Sequence, residues 1–202
     1  MRIPSVSILL AGAALFLAGC QSYDSRLASR ETEYLNGQVS VHKPAAAGGG
    51  YDPVSYWDGD NVSGSPSVKI FLSEQRAYFY KGDQLVGVSQ ISSGREGHNT
   101  PTGTYKIVQK DPDHASNLYG DFVDDAGNVV KANVAISDPK PPGSHFKGAP
   151  MPHFMRITGG VGMHAGFLPG YPASHGCIRM PAFMADTFYS NVSLGTPVEL
   201  HH

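Results

Sequence analysis

The sequence predicts a mainly β fold, a mixed or antiparallel β-sandwich with one short helix. Three observations lead there. Glycine and proline are abundant, 24 and 15 of 202 residues, too many for a helical bundle. Apolar and polar residues alternate in short runs from Val68 onward, the pattern of half-buried strands. Gly and Pro punctuate those runs at short spacing, which favours antiparallel or mixed sheets over alternating βαβ units. At 41% hydrophobic residues the chain is not composed for disorder. Charged residues make up 16% and the formal net charge is −2. That balance offers no clustered Lys and Arg for nucleic acid.

The elements follow in order. Val68, Ile70 and Leu72 line one face of a first strand. Ala77-Tyr78-Phe79-Tyr80 forms the next, Lys81-Gly82-Asp83-Gln84 a turn, and Leu85 to Ile91 the return strand of a hairpin. Thr104 to Val108, Val129 to Ile136, Phe154 to Ile157 and Val198 to Leu200 are further strand candidates. Asp138 to Pro152 holds five prolines and is expected to be a long, stiffened loop, either a lid or a surface connector. A helix is expected after Met180, where Pro181 suits the first turn. Phe183, Met184, Thr187 and Phe188 supply its apolar face. Gly195 breaks the chain before the last strand.

The N-terminus reads as an address. Residues 3–23 are uncharged, Arg2 precedes them, and the apolar run ends in Leu17-Ala18-Gly19-Cys20. This segment resembles a bacterial lipoprotein signal peptide with its lipobox, cleaved after residue 19. The resemblance implies lipid on Cys20, since two or more acyl chains anchor stably. It also implies a place in the cell envelope, facing the periplasm. Gln21 after the cysteine matches the pattern associated with outer-membrane sorting. The other reading of this run is an uncleaved transmembrane anchor. Residues 20–66 are polar and include Pro44-Ala45-Ala46-Ala47-Gly48-Gly49-Gly50, a flexible tether by composition. Tyr51, Tyr56 and Trp57 interrupt it; the favoured reading packs them on the domain, placed at residues 67–200, and the other has them touch glycan.

The chemistry lies between Gly160 and Pro181. That segment holds His164, His175 and Cys177 among several glycines. A thiol attacks acyl carbons as the thiolate, and free Cys is only a few per cent thiolate near neutrality. A neighbouring imidazole raises that fraction and later returns the proton. Gly176, without a Cβ, lets the backbone bend and aim N–H groups at a developing oxyanion. One such donor is worth about 3–4 kcal/mol.

Ser174-His175-Gly176-Cys177-Ile178-Arg179, with His164 upstream in Gly162-Met163-His164, resembles the active-site motif of the YkuD-type L,D-transpeptidases. Ser73-Glu74-Gln75-Arg76-Ala77-Tyr78-Phe79-Tyr80, Ser92-Ser93-Gly94, Thr100-Pro101-Thr102-Gly103-Thr104-Tyr105 and Gly195-Thr196-Pro197-Val198 extend the likeness over about residues 67–200. Nine residues separate His164 from Ser174, a shorter loop than the family usually has. The resemblance implies Cys177 as nucleophile and His164 as general base, with the Ala165 carbonyl orienting the second His164 nitrogen. It implies backbone N–H groups of His175, Gly176 and Cys177 as the oxyanion site, and Ser174 and Arg179 as substrate contacts. Arg179 suits a carboxylate; a structural salt bridge is its other reading. The implied donor is a peptidoglycan stem tetrapeptide and the implied acceptor a meso-diaminopimelate amine, giving a 3→3 cross-link through a thioester. No cofactor is implied. A protein Lys or water as acceptor gives wall attachment or L,D-carboxypeptidase activity by the same acyl-enzyme. Two readings from other classes compete: a zinc site of His164, His175 and Cys177, and a non-catalytic wall-binding lipoprotein.

Overall fold

The computed structural model describes residues 55–202. The expected signal peptide (1–19), the lipidation residue Cys20, Tyr51 and most of the tether lie outside the described residues. In chain order the first elements are β1 (Tyr56–Trp57), β2 (Pro66–Phe71), β3 (Arg76–Lys81), β4 (Gln84–Gln90), β5 (Gly103–Lys106) and β6 (Gln109–Asp111). Then come β7 (Ala115–Val123), β8 (Val129–Ala135), β9 (His145–Pro150), β10 (Phe154–Thr158) and β11 (Val161–Ala165). The last are β12 (Ile178–Met180), α1 (Ala182–Asn191) and β13 (Pro197–His201). The fold is mostly β with one short helix, as the sequence predicts.

The strands form three sheets. The largest runs β1-β4-β3-β2-β13-β5. In it Val68 faces Phe79 and Ile70 faces Ala77 across β2 and β3, all four buried. The alternation read from sequence therefore sets the register, because a one-residue slip would turn this set to solvent. Gly82, at φ +59°, closes the hairpin, since primed hairpin turns need positive φ. β13 returns parallel to β2 and closes the sheet toward β5.

The second sheet runs β12-β11-β10-β6. Its Met155, Ile157, Met163, Ala165, Ile178 and Met180 join Val68, Ile70, Phe79, Val198 and Leu200 in one core. Burying each large side chain there contributes about 1.5–3 kcal/mol. Helix α1 adds Met184, Ala185 and Phe188, with Phe188 edge-on to Phe79 at 4.9 Å. Pro181 stands just outside the helix with extended backbone. Its carbonyl accepts the Ala185 N–H at 2.9 Å.

Two sequence expectations change. The Pro-rich segment 138–152 is not one irregular loop, because its second half is β9, paired to β7 in the three-stranded sheet β8-β7-β9. Its prolines lie before the strand or at its end, where no ladder hydrogen bond is lost. Close backbone approach replaces side-chain packing there. A Cβ on Gly148 would sit 1.9 Å from the Ser116 carbonyl oxygen, and one on Gly120 2.1 Å from that of Lys147. The folded body also includes Ser55–Ser65, a segment that composition assigns to the tether. β1 pairs with β4. Trp57 stands edge-on to Phe79 at 5.1 Å and covers Gly87, whose missing side chain makes room for the indole. Tyr56 and Trp57 thus pack on the domain.

Candidate active site

The second sheet has two faces with different work. Along β10, β11 and β12 the core residues alternate with Phe154, Arg156, Gly162, His164 and Arg179. Successive side chains on a strand point to opposite faces. The chemistry therefore stands on the face turned away from the core. β11 and β12 pair in parallel, with Met163 opposite Ile178 and His164 opposite Arg179. Cys177 immediately precedes β12, next to Gly162. Cys177 thus adjoins the strand paired with the one that bears His164, although nine residues of loop separate His164 from Ser174.

His164 is fully buried. Its Nδ1 lies 2.8 Å from the Ala165 carbonyl oxygen. A carbonyl only accepts, so Nδ1 carries the proton and the lone pair is at Nε2. Burial holds the ring's pKa down to about 3 from an ordinary 6.5, and the charges of Arg179 and His114 push the same way against the Ala165 hydrogen bond. At neutral pH this imidazole is a neutral base.

Cys177 is partly exposed, and its thiol donates to the Gly160 carbonyl at 3.4 Å. Burial raises its pKa; the Gly162 N–H and the charges of Arg156 and Arg179 oppose that rise. Arg156 is aimed by two hydrogen bonds, from Nε to Gln109 Oε1 and from Nη1 to the Gly159 carbonyl, both 2.7 Å. Arg179 is only 6% exposed, and its stem lies along Gly166, where a Cβ would crowd it at 3.0 Å. Its charge acts on His164, His175 and Cys177 together.

The cysteine loop is held from three sides. Ser93 carbonyl accepts the N–H groups of Ala173 and Ser174. Ser93 is itself clamped by Gln75, which accepts its N–H at 2.9 Å and donates to its hydroxyl at 2.8 Å. Thr100 Oγ1 donates to the Gly176 carbonyl at 2.8 Å and accepts the Gly94 N–H at 2.9 Å. Gly176 adopts φ +115°, a conformation closed to residues with a Cβ.

The structure corrects two assignments here. Ser174, expected to touch substrate, is 2% exposed. Its hydroxyl donates to the Cys177 carbonyl and accepts the Gly176 N–H; it closes the loop and faces no solvent. The Gly176 N–H, expected among the oxyanion donors, is therefore engaged inside the loop at 3.0 Å. His175 Nε2 accepts from Arg95 Nη2 at 2.8 Å, and its ring stacks on Tyr119 at 4.0 Å. Burial, then the Arg95 charge, lower the His175 pKa to about 4. Among the described residues no three His, Cys, Asp or Glu side chains gather as metal ligands. The zinc reading of His164, His175 and Cys177 thus finds no support among the described residues.

Sequence reasoning did not single out Arg95, Arg156 or Tyr119. Each stands outside the motif and reaches it only through pairing of distant strands. Gln75, Ser93 and Thr100 did carry a signal, in the segments Ser73 to Tyr80, Ser92-Ser93-Gly94 and Thr100 to Tyr105.

Fold and site together define a class, a β-sandwich enzyme domain with a thiol and a neutral imidazole brought together by paired parallel strands. The model of the YkuD family, described as the L,D-transpeptidase catalytic domain, matches residues 65–200, and the chain belongs to that family. Solved structures of similar fold include the L,D-transpeptidase from Mycobacterium smegmatis, 20% identical, covering 68% of this chain and 59% of that one, TM-score 0.52. Another is the L,D-transpeptidase from Xylanimonas cellulosilytica, 22% identical, covering 70% of this chain and 62% of that one, TM-score 0.51. A third is an LD transpeptidase in complex with imipenem, 17% identical, covering 67% and 58%, TM-score 0.50. The matched part is less than two thirds of each of those chains. No curated protein matches the sequence.

Proposed function

We propose that this domain acylates its Cys177 thiol with a peptidoglycan stem tetrapeptide and passes the acyl group to a second stem peptide, forming a 3→3 cross-link. The observation that carries the reading is that Cys177 immediately precedes β12, the strand paired in parallel with β11, which bears His164, whose Nδ1 is oriented by the Ala165 carbonyl.

The steps follow from that placement. His164 Nε2 takes the thiol proton as the sulfur attacks the carbonyl before the terminal D-Ala. The backbone N–H groups of His175 and Cys177 face the developing oxyanion; that of Gly176 does not, being bonded to Ser174. Arg156 and Arg179 favour the thiolate by charge. The C–N bond breaks, His164 gives its proton to the departing amine, and a thioester remains. The diaminopimelate amine of a second peptide then attacks the thioester, its proton passes to His164, and the thiol is regenerated. We further propose that the chain is a lipoprotein anchored through Cys20, with the domain acting in the periplasm.

Mass spectrometry of stem peptides incubated with the protein tests this. A tetrapeptide dimer lacking one D-Ala is the expected product. Free tripeptide alone assigns water as acceptor. Cys177→Ala should form neither the thioester nor an imipenem adduct. His164→Ala should slow acylation by about 10²–10⁴-fold. Normal turnover by Cys177→Ala rejects the nucleophile.

A further inference from the structure

Arg95 stands at the rim of the cysteine loop, where its backbone N–H bonds the Ser174 carbonyl at 3.1 Å. The residue is exposed. Among the described residues no carboxylate pairs with it. Its one side-chain partner is the His175 ring, through Nη2 at 2.8 Å. For Nε2 to accept that bond, His175 must be neutral with its proton on Nδ1. The ring is fixed in turn by Tyr119, stacked at 4.0 Å with planes 20° apart, and by His98, edge-on at 4.8 Å. A guanidinium carries five donors in a planar fork. Here one donor holds the ring, and the others are left toward solvent beside the nucleophile's loop. A neutral imidazole is a weak counterpart for that cation, while a carboxylate matches it with two charge-assisted hydrogen bonds. Arg179, the cation singled out from sequence for this role, is nearly all buried.

We propose that Arg95 takes a carboxylate of the incoming peptide, with His175, Tyr119 and His98 as the bracket that aims it. The site then selects peptides carrying a free carboxylate near the bond to be broken. This rests on the peptide-acylation reading above.

The test pairs Arg95→Ala and Arg95→Lys with three tetrapeptides: one unmodified, one amidated at its C-terminus, one amidated on the diaminopimelate side chain. For the unmodified peptide, KM should rise about 10- to 100-fold in Arg95→Ala. Arg95→Lys should recover part of that, having charge without a fork. Amidating the group that Arg95 holds should weaken wild type to the level of Arg95→Ala and leave Arg95→Ala itself unchanged, which identifies the carboxylate. If Arg95→Ala discriminates acid from amide as wild type does, the proposal is overturned. An unchanged melting temperature and an unchanged rate of Cys177 alkylation by iodoacetamide exclude a folding defect. If wild type acylates on none of the peptides, the function reading fails by itself. Calorimetric binding of the unmodified and amidated peptides to Cys177→Ala, with and without Arg95→Ala, then decides the Arg95 proposal. Equal affinities overturn it.

Discussion

At His164 the sign of the pH effect follows from burial. The ring protonates near pH 6.5 when free and near pH 3 in the fold. Between those values the unfolded chain binds more protons, so stability rises with pH across that window. The contribution is complete above about pH 6.5 and is lost as the pH falls toward 3. His175, lowered to about 4, acts in the same direction. Thermal melts from pH 8 to pH 4 should therefore show falling midpoints, and His164→Gln should flatten that slope. A second residue-scale prediction concerns Thr100. Thr100→Val keeps the shape but leaves the Gly176 carbonyl and Gly94 N–H without their partner. Denaturant unfolding should show a loss of about 1–3 kcal/mol, with slower acylation beside it. The segment that holds Cys177 and His164 stands out in the sequence because its motif is local and its order distinctive. Arg95 and Arg156 do not, because a cation on a strand or turn carries no mark of what a distant segment will bring beside it.

Among the elements, β2 was readable from alternation, since one face of it is buried against the core, and β3 and β4 from the hairpin turn between them; Val86 to Ser89 of β4 are buried on both faces. β7 and β9 were not. Ala115–Val123 and His145–Pro150 mix Asn, Gly, Asp and Lys with few apolar residues, and their pairing relies on glycines that let two backbones approach. That dependence is testable. Gly148→Ala places a Cβ against the Ser116 carbonyl, and over-packing of this kind costs about 1–3 kcal/mol. Limited proteolysis should then cut within residues 115–150 faster than in wild type. Tyr119 lies on β7 and stacks on His175, so the same variant should also weaken peptide acylation.

For the whole molecule, the domain edge is where composition misleads. Residues before Pro66 are rich in Gly, Ser and Asp and read as tether, yet Ser55–Ser65 is tied to the sheet by the pairing of β1 with β4 and by one indole. Trp57 contacts Phe79 and Phe188 and takes a Lys81 cation above its ring at 5.5 Å. Trp57→Ala should cost about 2–4 kcal/mol, somewhat below the value for a fully enclosed ring. Differential scanning calorimetry should show the loss. A chain beginning at residue 67 should melt lower than one beginning at residue 55.

The parallel pairing of β11 with β12 has one more consequence. A chain that runs up one strand must travel back before it can climb the next in the same direction. Here the return trip is residues 166–177, with Cys177 at its very end and Phe167 and Tyr171 exposed along it. Its final steps are pinned; its middle is anchored by little more than a Ser92 hydroxyl on the Tyr171 carbonyl. A change in the length of that excursion leaves the pairing of β11 with β12, and with it the register of His164 against Arg179, untouched.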